Sequence, residues 1–144
     1  MRVLIDTNVV LDVLMAREPH LERALALFAA IETGRVRGVL GATTVTTVFY
    51  LASKAVGAEA ARRHVRALLE LFDVAPVDRA VLGRALDAGF ADFEDGVLHE
   101  VAGSAGVDAI VTRDRIGFAS ATLPVFTPAA FLAALHGAAD SDRV

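Results

Sequence analysis

Short continuous apolar runs recur at Arg2–Asp6, Gly38–Ala42, Phe72–Pro76, Asp108–Thr112 and Leu123–Phe126, and they read as buried strands. Between them apolar residues step by three and four, the period of a helix. Val9–Ala16 is a short helix stopped by Glu18-Pro19. His20–Thr33 carries Leu21, Ala24, Leu25, Leu27 and Phe28 at helical spacing, with Gly34 just past its end. The β-branched cluster from Thr43 to Val48 favours strand on propensity. Val45, Val48, Phe49 and Ala52 nevertheless keep the helical step, so a helix is predicted over Thr43–Val56. Glu59–Leu71 is amphipathic, with Val65, Leu68 and Leu69 on one side and Arg62, Arg63 and Arg66 on another. Asp78 caps a further helix reaching Ala88. Phe93–Ala105 forms another, closed by Gly106, and Thr127-Pro128 opens the last, running to Leu135.

Strands alternating with helices imply right-handed crossovers and a parallel sheet covered on both faces, an α/β fold. Residues 1–136 make one domain of ordinary size, and the small polar tail 137–144 is expected to fray. The 55% hydrophobic content suits such a sheet, or an apolar face reserved for a partner or a second copy. The absence of cysteine removes disulfides, thiolate metal sites and cysteine nucleophiles. Asp6 and Asp12 interrupt the one stretch that could serve as a secretion signal. No apolar run approaches the roughly 20 residues of a membrane span, so a cytoplasmic location is expected. A net charge of −4 argues against binding nucleic acid by bulk electrostatics, although metal ions and local arginines can offset phosphate charge.

The chemistry concentrates in three acidic motifs. Asp6 closes the first strand, where open α/β sheets form their ligand crevices, but it reads equally as the N-cap of the next helix. Asp92, Glu94 and Asp95 open the helix at Phe93, where acids also complement the helix dipole and imitate a capping box. Asp114 follows Ile110-Val111-Thr112 and mirrors Asp6 at a second strand end, although aspartate is at home in turns. Carboxylates converging from two strand ends and a helix start suit Mg²⁺ or Mn²⁺. Zinc is disfavoured, because the histidines lack ligand spacing.

These motifs resemble the PIN-domain family of metal-dependent ribonucleases, which includes the toxin halves of VapBC-type toxin–antitoxin modules. The resemblance rests on Leu4-Ile5-Asp6-Thr7-Asn8, Asp92-Phe93-Glu94-Asp95, Ile110-Val111-Thr112-Arg113-Asp114 and the closing Leu123-Pro124-Val125-Phe126-Thr127-Pro128. It implies a three-layer α/β/α sandwich around a parallel sheet of four to five strands. It further implies an endoribonuclease pocket using Mg²⁺ or Mn²⁺, in which Asp6, Asp95 and Asp114 match the metal-site acids. Products with a 5′-phosphate and a 3′-hydroxyl are implied by the family alone. Asp6 and Asp114 are expected as direct ligands and Asp95 as ligand or orienter of the attacking water. Thr112 and Asn8 would hold the carboxylates in position. An RNA substrate, a cognate antitoxin and a homodimer are the partners the resemblance implies.

Two positions depart from the family pattern. The usual glutamate of the third helix corresponds to Thr47, and no acid lies between Gly34 and Gly57. Many members carry an aspartate just before the phenylalanine of the last loop, where this chain has Gly117-Phe118. Asp92 or Glu94 could substitute. Arg113 and Arg115 flank Asp114 and are candidates for RNA phosphate contacts, with a solvated loop as the alternative. The arginines of 62–66 read as a solvated face, and His99 as a packing or surface histidine rather than a base. Tyr50 reads as core, or as lining the cleft.

The competing expectation is a non-catalytic module of the same fold with an impaired pocket. A phosphoryl-accepting α/β domain would want Asp-x-Asp, but Asn8 occupies the second place. A dinucleotide-binding fold lacks its glycine-rich turn.

Overall fold

The computed structural model describes residues 1–141. Five parallel strands, β1 (Arg2–Ile5), β2 (Arg37–Gly41), β3 (Asp73–Ala75), β4 (Ala109–Val111) and β5 (Val125–Phe126), form one sheet in the order β3-β2-β1-β4-β5. Seven helices connect and cover them: α1 (Thr7–Leu14), α2 (Leu21–Glu32), α3 (Ala42–Val56), α4 (Ala58–Leu71), α5 (Arg79–Asp87), α6 (Phe93–Ala105) and α7 (Pro128–Ser141).

Alternation along each strand divides the core. Val3, Ile5, Leu40, Ala109 and Val111 face α1, α2, α3, α4 and α7. Leu4, Val39 and Ile110 face α5 and α6, where they meet Val81, Val97, Leu98 and Val101. A strand buried on both faces has no polar side, which is why the apolar runs are continuous. The architecture is the expected three-layer α/β/α sandwich.

Four of the predicted strands are trimmed by one or two residues, the second is shifted back by one to Arg37–Gly41, and each predicted helix forms. The ambiguous threonine segment is helical throughout α3, because Val48 and Ala52 find the core only at helical spacing. Asp78 caps α5 by accepting the Val81 N–H at 2.9 Å, and Gly106 ends α6 in the left-handed region at φ 65°. The last helix differs from expectation. It runs six residues past Leu135 to Ser141, so residues 137–141 of the expected tail are helical, while 142–144 lie outside the described residues. Alanine-rich composition carries that helix on, since Gly137 alone is too weak to end it. No described helix is long and apolar enough to cross a membrane.

This topology fixes where chemistry can gather. The strand order reverses direction between β1 and β4, and the chain leaves both strands on the same edge. Such a switch point opens a crevice between the diverging connections. The crossover helix α6 leads into β4 and runs back along the sheet, so its N-terminus lies at that same carboxyl edge.

Candidate active site

Asp6 follows β1 directly and is 5% exposed. Its backbone N–H continues the ladder to Val111 O at 2.9 Å, which pins it beside the end of β4. Both of its carboxylate oxygens are engaged: Oδ1 accepts the Thr7 N–H at 2.7 Å, and Oδ2 accepts the Thr112 hydroxyl at 2.7 Å. Capping and site placement therefore coexist in one residue, because the strand end and the helix start are adjacent.

Thr112, fully buried, also accepts the backbone N–H of Asp114 at its Oγ1, 2.9 Å away. Its hydroxyl thus ties the two strand-end aspartates together. Asp114 in turn accepts the Gly117 N–H at 2.9 Å, forming a tight loop beyond β4. Asp95 comes from the first turn of α6. A Cβ built on Gly117 would lie 2.6 Å from Asp114 Oδ2 and 2.8 Å from Asp95 Oδ2. The two carboxylates therefore face each other across the space one methyl group would fill. Asp92, Asp95, Asp114, Ile116 and Gly117 line an open crevice of about 390 Å³.

The electrostatics follow from this crowding. Burial, then the charges of Asp6, Asp92, Asp114 and Glu94, push the Asp95 carboxyl up to about 7. Burial likewise raises Asp6, with Asp114 adding to it, against the lowering effect of its Thr112 and Thr7 hydrogen bonds and the Arg113 charge. Glu94 is raised by burial and by Asp92 and Asp6. Among the described residues no basic side chain neutralises Asp95, so the cluster strains toward a proton or a cation. The donors are oxygen only, which fits a hard divalent ion. Among the described residues, no three acidic or histidine side chains gather around one point closely enough to enclose a metal. The carboxylates are neighbours in pairs: Asp6 with Asp114 through Thr112, and Asp95 with Asp114 across Gly117.

Other expected positions divide. Asn8 Oδ1 accepts the Arg113 N–H at 3.4 Å, holding the end of β4 against α1. Asp92 is the N-cap of α6, accepting the Asp95 N–H at 3.1 Å, so the capping account holds for it. Thr47 is half-buried on α3 and makes no side-chain hydrogen bond among the described residues. One turn earlier, buried Thr44 bonds Thr7 hydroxyl to hydroxyl at 2.8 Å. Arg113, a candidate for RNA phosphate contact, is paired within the chain: its Nε and Nη2 bind Asp12, which is 1% exposed. Arg115 is exposed.

His99 is the packing histidine expected. Thr122 N–H donates to its Nε2 at 3.1 Å, so Nδ1 carries the proton and donates to Glu100 at 3.2 Å. Tyr50 is neither core nor cleft. It is 57% exposed, with the Lys54 ammonium 4.4 Å over its ring.

Sequence reasoning missed Thr44, Gly117 as a spacer, and the Asp12–Arg113 pair. The last had a signal: Asp12 is the one acid in an otherwise apolar α1, and a buried carboxylate needs a partner.

A parallel sheet sandwiched between helices, with acids at its switch point, defines an α/β/α protein with an acidic crevice. The PIN domain family model matches residues 2–116, and the chain belongs to that family. It is 22% identical over 135 residues to ribonuclease VapC1 of Aquifex aeolicus (strain VF5), spanning 90% of this chain and 92% of that protein. The fold is similar to the crystal structure of FitAcB from Neisseria gonorrhoeae, with a TM-score of 0.67 and 24% identity over 88% of this chain and 97% of that one. It is also similar to VapBC-1 from nontypeable Haemophilus influenzae, with a TM-score of 0.67 and 16% identity over 90% of this chain and 99% of that one.

Proposed function

We propose that this chain is a divalent-metal-dependent endoribonuclease and the toxin of a toxin–antitoxin pair. The observation that carries the reading is the pairwise approach of Asp6 to Asp114 and of Asp114 to Asp95 at the sheet's switch point, where burial and then acidic neighbours raise the proton affinity of Asp95 and no basic side chain among the described residues neutralises it. Asp6, Asp95 and Asp114 are the residues that would hold Mg²⁺ or Mn²⁺. When bound, such an ion lowers the pKa of a water and offsets charge on the phosphate under attack.

The chain's own residues do the positioning. Thr112 and Thr7 fix both oxygens of Asp6, so that carboxylate cannot rotate away. Asn8 and the Gly117 turn hold the Asp114 loop over β4. Asp95, in the first turn of α6, would hold the ion or orient the attacking water. Kinship with ribonuclease VapC1 and with the VapBC and FitAB assemblies supports RNA as substrate and an antitoxin as partner. A second copy of the chain is the further partner we assign.

The test is cleavage of a structured RNA with Mn²⁺, Mg²⁺ or EDTA, comparing the native chain with Asp6→Asn. Metal-dependent cleavage lost in Asp6→Asn is expected; metal-independent cleavage, or equal activity in the variant, overturns the proposal. A second reading, a non-catalytic PIN-fold module, draws on Gly117, Thr47 and the absence of three gathered acids among the described residues. It requires no cleavage under any metal, with partner binding intact in Asp6→Asn.

A further inference from the structure

Apart from the acidic crevice, a recess of about 310 Å³ lies among residues of α1, α2 and the start of α7, with Arg113 in its lining. Its charged lining is Arg23, Arg113 and Asp12, with His20 beside them and Thr127 at the helix entrance. Asp12 is the only acid there, and its two oxygens are taken by Arg113. A guanidinium carries five N–H groups, and the pair with Asp12 uses two, so the remainder stay available on a side chain 30% exposed. Arg23 is exposed on α2 and forms no ion pair among the described residues. The 14-residue helix α7 starts at the same recess with Pro128 and Ala129; Thr127 already accepts the Ala130 N–H at its Oγ1, 3.1 Å away, and Pro128 has none, so the helix adds its dipole and little direct N–H donation. In a chain of net charge −4 this recess sets two guanidiniums against one carboxylate, and Arg113, which lines it, is the chain neighbour of Asp114, which lines the acidic crevice.

We propose that this recess is a phosphate subsite, in which Arg23 and the Asp12-anchored Arg113 hold a backbone phosphate of the RNA strand beside the acidic crevice. The inference rests on the ribonuclease reading and adds to it. Asp12 acts as a positioning residue: it fixes the plane of the Arg113 guanidinium, so that little side-chain freedom is lost when a phosphate binds. The recess also answers an electrostatic difficulty. A cluster of unneutralised carboxylates repels the polyanion it cuts, and a nearby cationic holdfast supplies the attraction.

The experiment uses single-stranded RNA with a fluorescent label, in the Asp6→Asn background so that it is bound and not cut. Arg23→Ala should weaken binding about 3–10-fold and reduce the slope of log affinity against log salt by about 0.7, one single-strand phosphate contact. Arg23→Lys should keep most of that slope. Arg63→Ala, which removes the same charge from the solvated face of α4, should leave affinity unchanged. In the cutting enzyme, Arg23→Ala should raise KM more than it lowers kcat.

Cleavage by the native chain with Arg23→Ala indistinguishable from it overturns the subsite and leaves the nuclease reading standing. Equal losses in Arg63→Ala reduce the effect to bulk charge and also overturn it. If Arg23→Ala lowers affinity for inorganic phosphate but not for RNA, the recess binds free phosphate, not the strand. No RNA binding at all by the native chain overturns both readings.

Discussion

Thr112 donates its hydroxyl proton to Asp6 and receives the Asp114 N–H, so one buried oxygen sets the spacing of two carboxylates from neighbouring strand ends. Thr112→Val keeps the shape and removes both bonds, leaving a buried carboxylate oxygen short of a donor. We expect a loss of about 1–3 kcal/mol in denaturant unfolding. RNA cleavage should fall about 10–100-fold, as for other groups that orient metal-site carboxylates. Thr112→Ser should recover most of both.

Asp95 gives stability a definite pH slope. Its carboxyl binds a proton more tightly in the folded chain, at about 7 against an ordinary 3.8. The contribution is therefore fully present below about pH 4 and is lost as pH rises through 7. Metal-free protein should melt at a lower temperature at pH 8 than at pH 5, and Asp95→Asn should flatten the difference. The side chain is partly solvated, so screening holds the effect to roughly 1 kcal/mol. Mn²⁺ should raise the melting temperature more at pH 8 than at pH 5, since the ionised acids are what bind it.

Arg113 is needed for folding before it is needed for RNA. Arg113→Ala leaves Asp12, 1% exposed, without its partner, and should cost about 2–4 kcal/mol by thermal or chemical unfolding. The double change Asp12→Leu with Arg113→Met should recover most of that stability, because no buried charge remains. Failure of the double variant to recover would mean that the pair is not the source of the loss.

Gly117 holds the space between Asp95 and Asp114 open. Gly117→Ala puts a methyl within 2.6 and 2.8 Å of their oxygens, so the carboxylates must part. We expect cleavage to fall at least about tenfold while stability changes by no more than about 1 kcal/mol, since the displaced atoms are ends of side chains in an open crevice. Gly117→Asp should fare no better, although it restores the charge the family pattern carries there. Activity gained in Gly117→Asp would show that the loop can rebuild itself around the added acid.

The sequence alone determined the alternation of strand and helix, the sandwich and the three acidic motifs. Each is written in local periodicity, or in a charge set at the end of an apolar run. It could also place Asp6, Asp95 and Asp114 on one edge, because parallel strands leave the sheet on the same side and crossover helices return there. Only the tertiary structure decided what each side chain does at that edge. Asp12 finds Arg113 and Thr7 finds Thr44 across long stretches of chain, and Gly117 is empty because two distant carboxylates share its space. Such contacts depend on register between β1 and β4 and on the rotation of helices against the sheet. Those are settled by packing the whole core at once, and no local pattern records them.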